Sequence, residues 1–302
     1  MGPICFVDGG DLRSSGSVAL KNIVGIDHAV VVVKDLDRAA DNWKRLGFTL
    51  SPRGTHSAKM GSGNYTIMLG SDYLELLGVL AETDHNAPTR SFLARTGGGI
   101  ERVAFTTLDA AAGAAEIRAR GFEPIGPIDF ERPVTMPDGA ERAAKFSVFQ
   151  WPVDEAPGGL RIFACQHKTR ETVWIPQLQR HANTAKAIAR VIIVSPAPEI
   201  DAQHLVRMID GEVLRGSDGA FVVPSGPDRA DFAFVTRDQL AQQFPGVTLA
   251  GLPERGGAAL VLEADDLAAA EKALRGVAVK SGSSVVVPPA AANGVMLAFV
   301  AR

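Results

Sequence analysis

Apolar positions along the chain fall into two alternating rhythms. Gly25-Ile26-Asp27-His28-Ala29-Val30-Val31-Val32-Val33 is a nearly continuous, β-branched run of strand length. After Lys34-Asp35-Leu36-Asp37, the residues Leu36, Ala39, Ala40, Trp43 and Leu46 recur at the spacing of one helix face. Asp35 stands where a helix N-cap belongs, and Gly47 ends the helix before Phe48 opens the next extended segment. Strand candidates separated by turn residues follow at Phe48 to Ser51, Asn64 to Leu69 and Tyr73 to Val79.

The same grammar returns. Gly99-Ile100 matches Gly25-Ile26, Asp109 matches Asp35, and Gly121-Phe122 matches Gly47-Phe48, in one register without a gap. A third copy spans Ala187 to Gly211, with a strand at Ile188 to Val194 and a helix at Ile200 to Ile209. A fourth opens at Gly257, with a strand at Ala258 to Glu263, Asp265-Asp266-Leu267 and a helix to Leu274. Strands at Val277 to Lys280, Ser284 to Val287 and Val295 to Val300 complete it. One strand, one helix and three strands cannot bury a sheet face alone, and pairing units encloses a cavity. The prediction is an α+β fold of four βαβββ units, paired into curved mixed-sheet half-barrels in two domains. These are residues 22–178 and 179–302, divided near Pro176 to Thr184, after a loose tail over 1–21. The competing reading is a generic α+β protein with coincidentally similar strand–helix starts.

Composition narrows the classes of function. Hydrophobic residues make up 46% and charged residues 22% of the 302, which is globular usage. A formal net charge of -3, well mixed, gives no reason to expect nucleic acid or an anionic membrane as partner. Apolar runs are strand-sized and too short to span a bilayer. Cys5 and Cys165 make no disulfide framework. With no basic-then-apolar start, the expectation is a cytoplasmic, reducing setting.

Two polar residues interrupt apolar strands. His28 is either a hydrogen-bonded core histidine or a neutral imidazole free to coordinate a divalent cation. Glu75, inside Tyr73-Leu74-Glu75-Leu76-Leu77, either faces water from an edge strand or points inward. An inward carboxylate without a partner costs on the order of several kcal/mol, so it calls for a metal, an arginine or a substrate.

Gly25-Ile26-Asp27-His28, Lys34-Asp35-Leu36-Asp37 and Leu46-Gly47-Phe48 resemble the opening of a glyoxalase-like module. Gly61-Ser62-Gly63-Asn64, Tyr73 to Gly78, Cys165-Gln166-His167, Trp174 and His181-Ala182-Asn183 extend the resemblance. They point to the glyoxalase-like domain proteins of the vicinal-oxygen-chelate superfamily. It covers about Ile23 to Ala189; the remainder matches only as the same structural unit. The resemblance implies a cavity able to hold a divalent metal (Fe, Mn, Ni or Zn), in a superfamily of lyases, isomerases, ring-cleaving dioxygenases, epimerases and metal-free drug-binding proteins. Fold alone does not choose among these.

In such proteins the first and last strands of a unit lie side by side, which would make His28 and Glu75 half of a metal site. Unit 2 offers no matching half: Arg102 stands at the position of His28, and the last strand, Leu160 to Gln166, has no acid. His167 at its end would give a set of His28, Glu75 and His167, the two-histidine, one-carboxylate composition that leaves open positions on iron. Arg102 either pairs with Glu101 or holds a substrate carboxylate or enolate bidentately. His56 and Asn64 sit in or beside a glycine-rich loop, placed either to touch substrate or in solvent. His181 reads as a turn or capping residue, His85 and His204 as surface residues, and Cys165 as a buried, inert thiol.

The expected function is a metal-dependent lyase, isomerase or dioxygenase acting on a small oxygenated molecule. Glu75 and His56 would be catalytic, and Arg102, Asn64 and His56 would contact substrate. The alternative is a metal-free binding or resistance protein. A homodimer fits either.

Overall fold

A computed structural model describes residues 20–302. The expected tail therefore lies almost wholly outside the described residues, as does Cys5.

Four units follow one another. Unit 1 is β1 (Ile23–Val33), α1 (Leu36–Arg45), β2 (Gly54–Thr55), β3 (Ser62–Met68) and β4 (Tyr73–Val79). A connector helix, α2 (Ala87–Thr96), leads to unit 2. That unit is β5 (Gly99–Thr107), α3 (Ala110–Ala119), β6 (Ile125–Thr135), β7 (Glu141–Gln150) and β8 (Arg161–His167). Unit 3 is β9 (Ala185–Val194), α4 (Pro198–Ile209), β10 (Leu214–Arg215), β11 (Phe221–Pro224) and β12 (Asp231–Val235). A second connector, α5 (Arg237–Gln243), precedes unit 4: β13 (Gly256–Ala264), α6 (Leu267–Ala273), β14 (Val279–Ser281), β15 (Ser284–Val287) and β16 (Met296–Ala301).

The repeat has local causes. Asp35, Asp109 and Asp266 cap α1, α3 and α6, each accepting from first-turn amides. Unit 3 instead places Pro198 in the first turn of its helix, where the missing N–H costs nothing. One predicted strand is absent: Phe48 to Ser51 is irregular, and strand pairing waits for Gly54. Pro52 removes a ladder donor there, and Phe48 serves the core instead. The connector helices α2 and α5 were not foreseen, because neither carries a clear apolar stripe.

In every unit the first strand runs parallel to the last: β1 with β4, β5 with β8, β9 with β12 and β13 with β16. Antiparallel pairing of β1 with β5 joins units 1 and 2 into an eight-stranded half. Pairing of β9 with β13 joins units 3 and 4 likewise. A single pair, Gly257 with Ile100, links the two halves into one sheet.

The halves share a core. Side chains from α1, α3, α4 and α6 and from one face of both halves of the sheet form a single apolar cluster that includes Trp43, Phe105, Phe149, Phe232 and Phe299. Each such side chain contributes roughly 1.5–3 kcal/mol of burial. Polar contacts cross the same boundary: Trp43 Nε1 donates to Asn293 Oδ1 at 3.0 Å, and Arg120 meets Asp210 at 2.8 Å. The turn between β11 and β12 also grips β1. Ser225 Oγ accepts from the Ile26 amide at 2.9 Å, and Arg229 donates to the carbonyls of Ile26 and Ser71. Gly226 in this turn has φ +157, and a Cβ on it would lie 2.0 Å from the Val24 carbonyl oxygen, so only glycine fits. No helix among the described residues is long and apolar enough to cross a membrane.

Candidate active site

The free face of units 1 and 2 holds a cavity of about 110 Å³. Five of the six site residues expected from the sequence line it: His28, His56, Asn64, Glu75 and Arg102. His167 does not. Residues that sequence reasoning missed complete the wall, chiefly Tyr73, Arg132 and Gln150, with Phe130, Phe146 and Phe163 as its apolar part.

The backbone of β1 explains the first contact. Ile26 lies opposite Phe105 and His28 opposite Ala104, so Asp27 is an extra, unpaired residue in the ladder. This bulge lets two consecutive residues serve one site. His28 faces the cavity wall, while the fully buried Asp27 carboxylate reaches His28 Nδ1 at 2.7 Å, His167 Nε2 at 2.9 Å and Thr106 Oγ1 at 2.7 Å. A carboxylate accepts, so Nδ1 of His28 carries its hydrogen and Nε2 is left with a lone pair. Burial alone pushes the Asp27 carboxyl up, but the His167 and His28 imidazoles outweigh it and hold the group well below the usual carboxylate range.

His28 Nε2 looks onto Glu75 Oε2 at 3.6 Å and the Tyr73 hydroxyl at 3.5 Å, with the Tyr73 ring stacked on the imidazole at 4.2 Å. Burial raises the Tyr73 phenol well above its ordinary range, so it stays protonated. Glu75 sits on the inner strand β4, between β1 and β3. Asn64 Nδ2 donates to its Oε1 at 2.7 Å, fixing one oxygen and leaving Oε2 toward His28. Gly54 makes room for this, since a Cβ there would lie 2.2 Å from Asn64 Oδ1.

His56 is held by Ser62, whose hydroxyl lies 2.8 Å from Nδ1 and whose carbonyl accepts from the His56 amide. Burial lowers its pKa, and Arg132 and Arg102 add to this against Glu75, so the ring is neutral near pH 7. His85, on the connector before α2, reaches the cavity rim and shifts the same way, mainly through burial. Arg102 has both contacts anticipated for it: it lines the cavity and sits 3.0 Å from buried Glu101, which also binds Arg161 at 2.6 Å. Cys165 is a buried thiol whose pKa burial drives well up. His181 ties the connection after unit 2 to unit 1, with Nδ1 accepting from the Thr49 amide and Nε2 donating to the Met68 carbonyl. His204 meets Glu155.

Among the described residues, one group of three metal-type donors lies mutually within 4.8 Å: Asp27, His28 and His167. It has the expected two-histidine, one-carboxylate composition, with Asp27 where Glu75 was anticipated. Only His28 of the three lines the cavity.

The sequence profile of the glyoxalase-like domain family matches residues 26–209, more than half of the chain. No curated protein sequence matches it. Among solved structures, a hypothetical protein from Staphylococcus aureus superposes with a TM-score of 0.64 at 14% identity, covering 92% of this chain and 99% of that one. Methylmalonyl-CoA epimerase from Mycobacterium tuberculosis gives 0.41 at 21% identity over 52% of this chain and 96% of its own. The Streptomyces coelicolor epimerase in complex with 2-nitronate-propionyl-CoA gives 0.39 at 21%, over 49% and 96%. With the matched segment carrying His28, His56, Asn64 and Glu75 on one wall, the chain belongs to the glyoxalase-like domain family.

Proposed function

We propose that this protein is a metal-assisted enzyme of lyase or isomerase type, moving a proton on a small oxygenated organic molecule bound between units 1 and 2. One observation carries the reading: His28 is fixed at Nδ1 by Asp27, and its Nε2, with the Tyr73 hydroxyl 3.5 Å away, converges with Glu75 Oε2 on the cavity. An imidazole backed by one carboxylate, Asp27, beside a second carboxylate, Glu75, is the donor chemistry of a divalent transition-metal ion. His28 and Glu75 would hold such an ion, which when bound supplies Lewis-acid polarisation of neighbouring substrate oxygens. Glu75, with one oxygen occupied by Asn64, is the base or the ligand; neutral His56 is the second proton carrier; Arg102 steadies developing negative charge. Ring cleavage is less favoured. The group with that donor composition shows only His28 to the cavity.

A second reading has its own observation. In the pairing register, the positions equivalent to His28 and Glu75 in unit 2 are Arg102 and Phe163, and neither binds a metal. This supports a metal-free binding protein. Metal content of the purified chain, measured beside His28→Ala and Glu75→Ala, separates the two. About one Fe, Mn, Ni or Zn per chain, lost in both variants, is the expected result. No retained metal, and no stabilisation by added metal, would overturn the enzyme reading in favour of the binding one. The same proposal takes residues 22–178 as the working domain, 179–302 as its support, a reducing compartment as the setting and a homodimer as the assembly.

A further inference from the structure

We propose that the cavity selects an organic carboxylate, and that Arg132 is the residue that recognises it; the inference rests on units 1 and 2 holding the substrate. Arg132 lies on β6, an edge strand paired only with β7, where it stands opposite Ala144. Most of β6 faces solvent, yet Phe130 and Arg132, two positions apart and so on one face of the strand, both line the cavity.

The three arginines of this region differ in their partners. Arg102 and Arg161 divide the Glu101 carboxylate between them. The Arg132 guanidinium, unlike its ladder-paired backbone, forms no hydrogen bond or ion pair with another described residue. A guanidinium presents five N–H donors in a planar fork, and on this half-buried arginine no described acceptor occupies them, so they are open to a ligand in the cavity. Glu75 is not that ligand by direct contact; it acts on Arg132 only through space, as does Tyr73, against the burial that lowers the arginine's pKa.

The charge balance points the same way. Glu75 brings one negative charge to the wall. Arg102 and Arg161 share the one Glu101 carboxylate, His56 is neutral by burial, and the Arg132 guanidinium has no carboxylate in contact with it among the described residues. The planar fork matches a carboxylate bidentately. Phe130, Phe146 and Phe163 beside it offer an apolar surface to the rest of the molecule. The ligand class is therefore a flat or short apolar body carrying one carboxylate, with a neighbouring oxygen directed at His28 and Glu75.

The test is calorimetric titration of the metal-stripped full chain with two matched pairs, benzoate against benzamide and salicylate against salicylamide. The acids are expected to bind at least about tenfold more tightly than their amides. Arg132→Gln should erase that ratio, Arg132→Lys should keep part of it, and the unliganded Arg132→Gln protein should melt no lower than wild type. Equal binding of acid and amide, no saturable binding of either acid, or a ratio that survives Arg132→Gln but is lost in Arg102→Gln would each overturn the proposal. Because metal is removed, the ratio does not depend on the enzyme reading. An intact ratio in a chain that retains no metal would overturn metal assistance while sustaining Arg132.

Discussion

The two halves have the same strand order, and they treat their free faces in opposite ways. Four equivalent positions at the heart of units 1 and 2 are His28, Glu75, Arg102 and Phe163. In units 3 and 4 the register places Arg190, Ala233, Ala259 and Ala298 there. The three alanines belong to a closed apolar cluster. It is filled from above by Leu240 of the second connector and by Phe244, Val247 and Leu252 just after it. The first connector does less: α2 buries only Thr89, and its Phe92 and Leu93 pack on a small cluster at one end, leaving the face open. One topology thus yields a filled face that contributes stability and an open face that gives some up for polar side chains.

The sharpest way to break this comparison is to empty the filled face. Phe244→Ala should cost about 3–5 kcal/mol in denaturant unfolding while leaving ligand binding in units 1 and 2 unchanged. If binding were lost as well, the two faces would not be independent. Next in size, Asp27→Asn should lower activity or metal affinity about 10- to 100-fold by freeing the His28 ring to turn or change tautomer. It also has a pH signature. The folded-state pKa of Asp27 is depressed, so its contribution to stability is present above the unfolded value near 4 and is lost as the pH falls below it. The stability gap between wild type and Asp27→Asn should therefore narrow in acid; a constant gap from pH 7 to pH 3 would count against stabilisation of the carboxylate by its histidine partners.

Arg102→His combined with Phe163→Glu sharpens the contrast by completing the missing half of a metal site. Zinc or nickel affinity should rise at least about tenfold, read by competition with a chelating dye. The smallest effect concerns His56. Burial lowers its folded-state pKa, so below about pH 6.5 the unfolded chain binds more protons and stability declines as the pH falls. His56→Gln should flatten the difference in unfolding midpoint between pH 7.5 and pH 5.5, though not abolish it, because His85 and His181 are shifted the same way.

Much of this contrast was legible in the sequence. The aspartate caps and the glycines that close the first two helices set the repeat, because capping and turn chemistry are local. His28 and Glu75 stood out as polar interruptions of apolar strands. Asp27 did not, since neighbours on a regular strand point to opposite faces, and only the bulge at Ile26–His28 brings it to the same site. Arg132 was hidden for a different reason: β6 is an exposed edge strand of mixed polarity, and nothing local shows which of its charges turns inward. His167 was visible as a histidine at a strand end. Its partner depends on where the end of β8 comes to lie relative to β1, on the far side of β5, which is a tertiary fact.

The hold of the β11–β12 turn on β1 bears on how this protein can change over generations. Ser225, Gly226 and Arg229 lie in the half without a chemical site, yet they fix the backbone of Ile26, immediately before Asp27 and His28. A substitution there is inherited as a change in the working face, although it touches none of its side chains. The quiet half is therefore not free to drift. A ranking of positions by distance from the cavity would undervalue these three, and grafting units 1 and 2 alone onto another scaffold would leave the Ile26 amide to find a new acceptor.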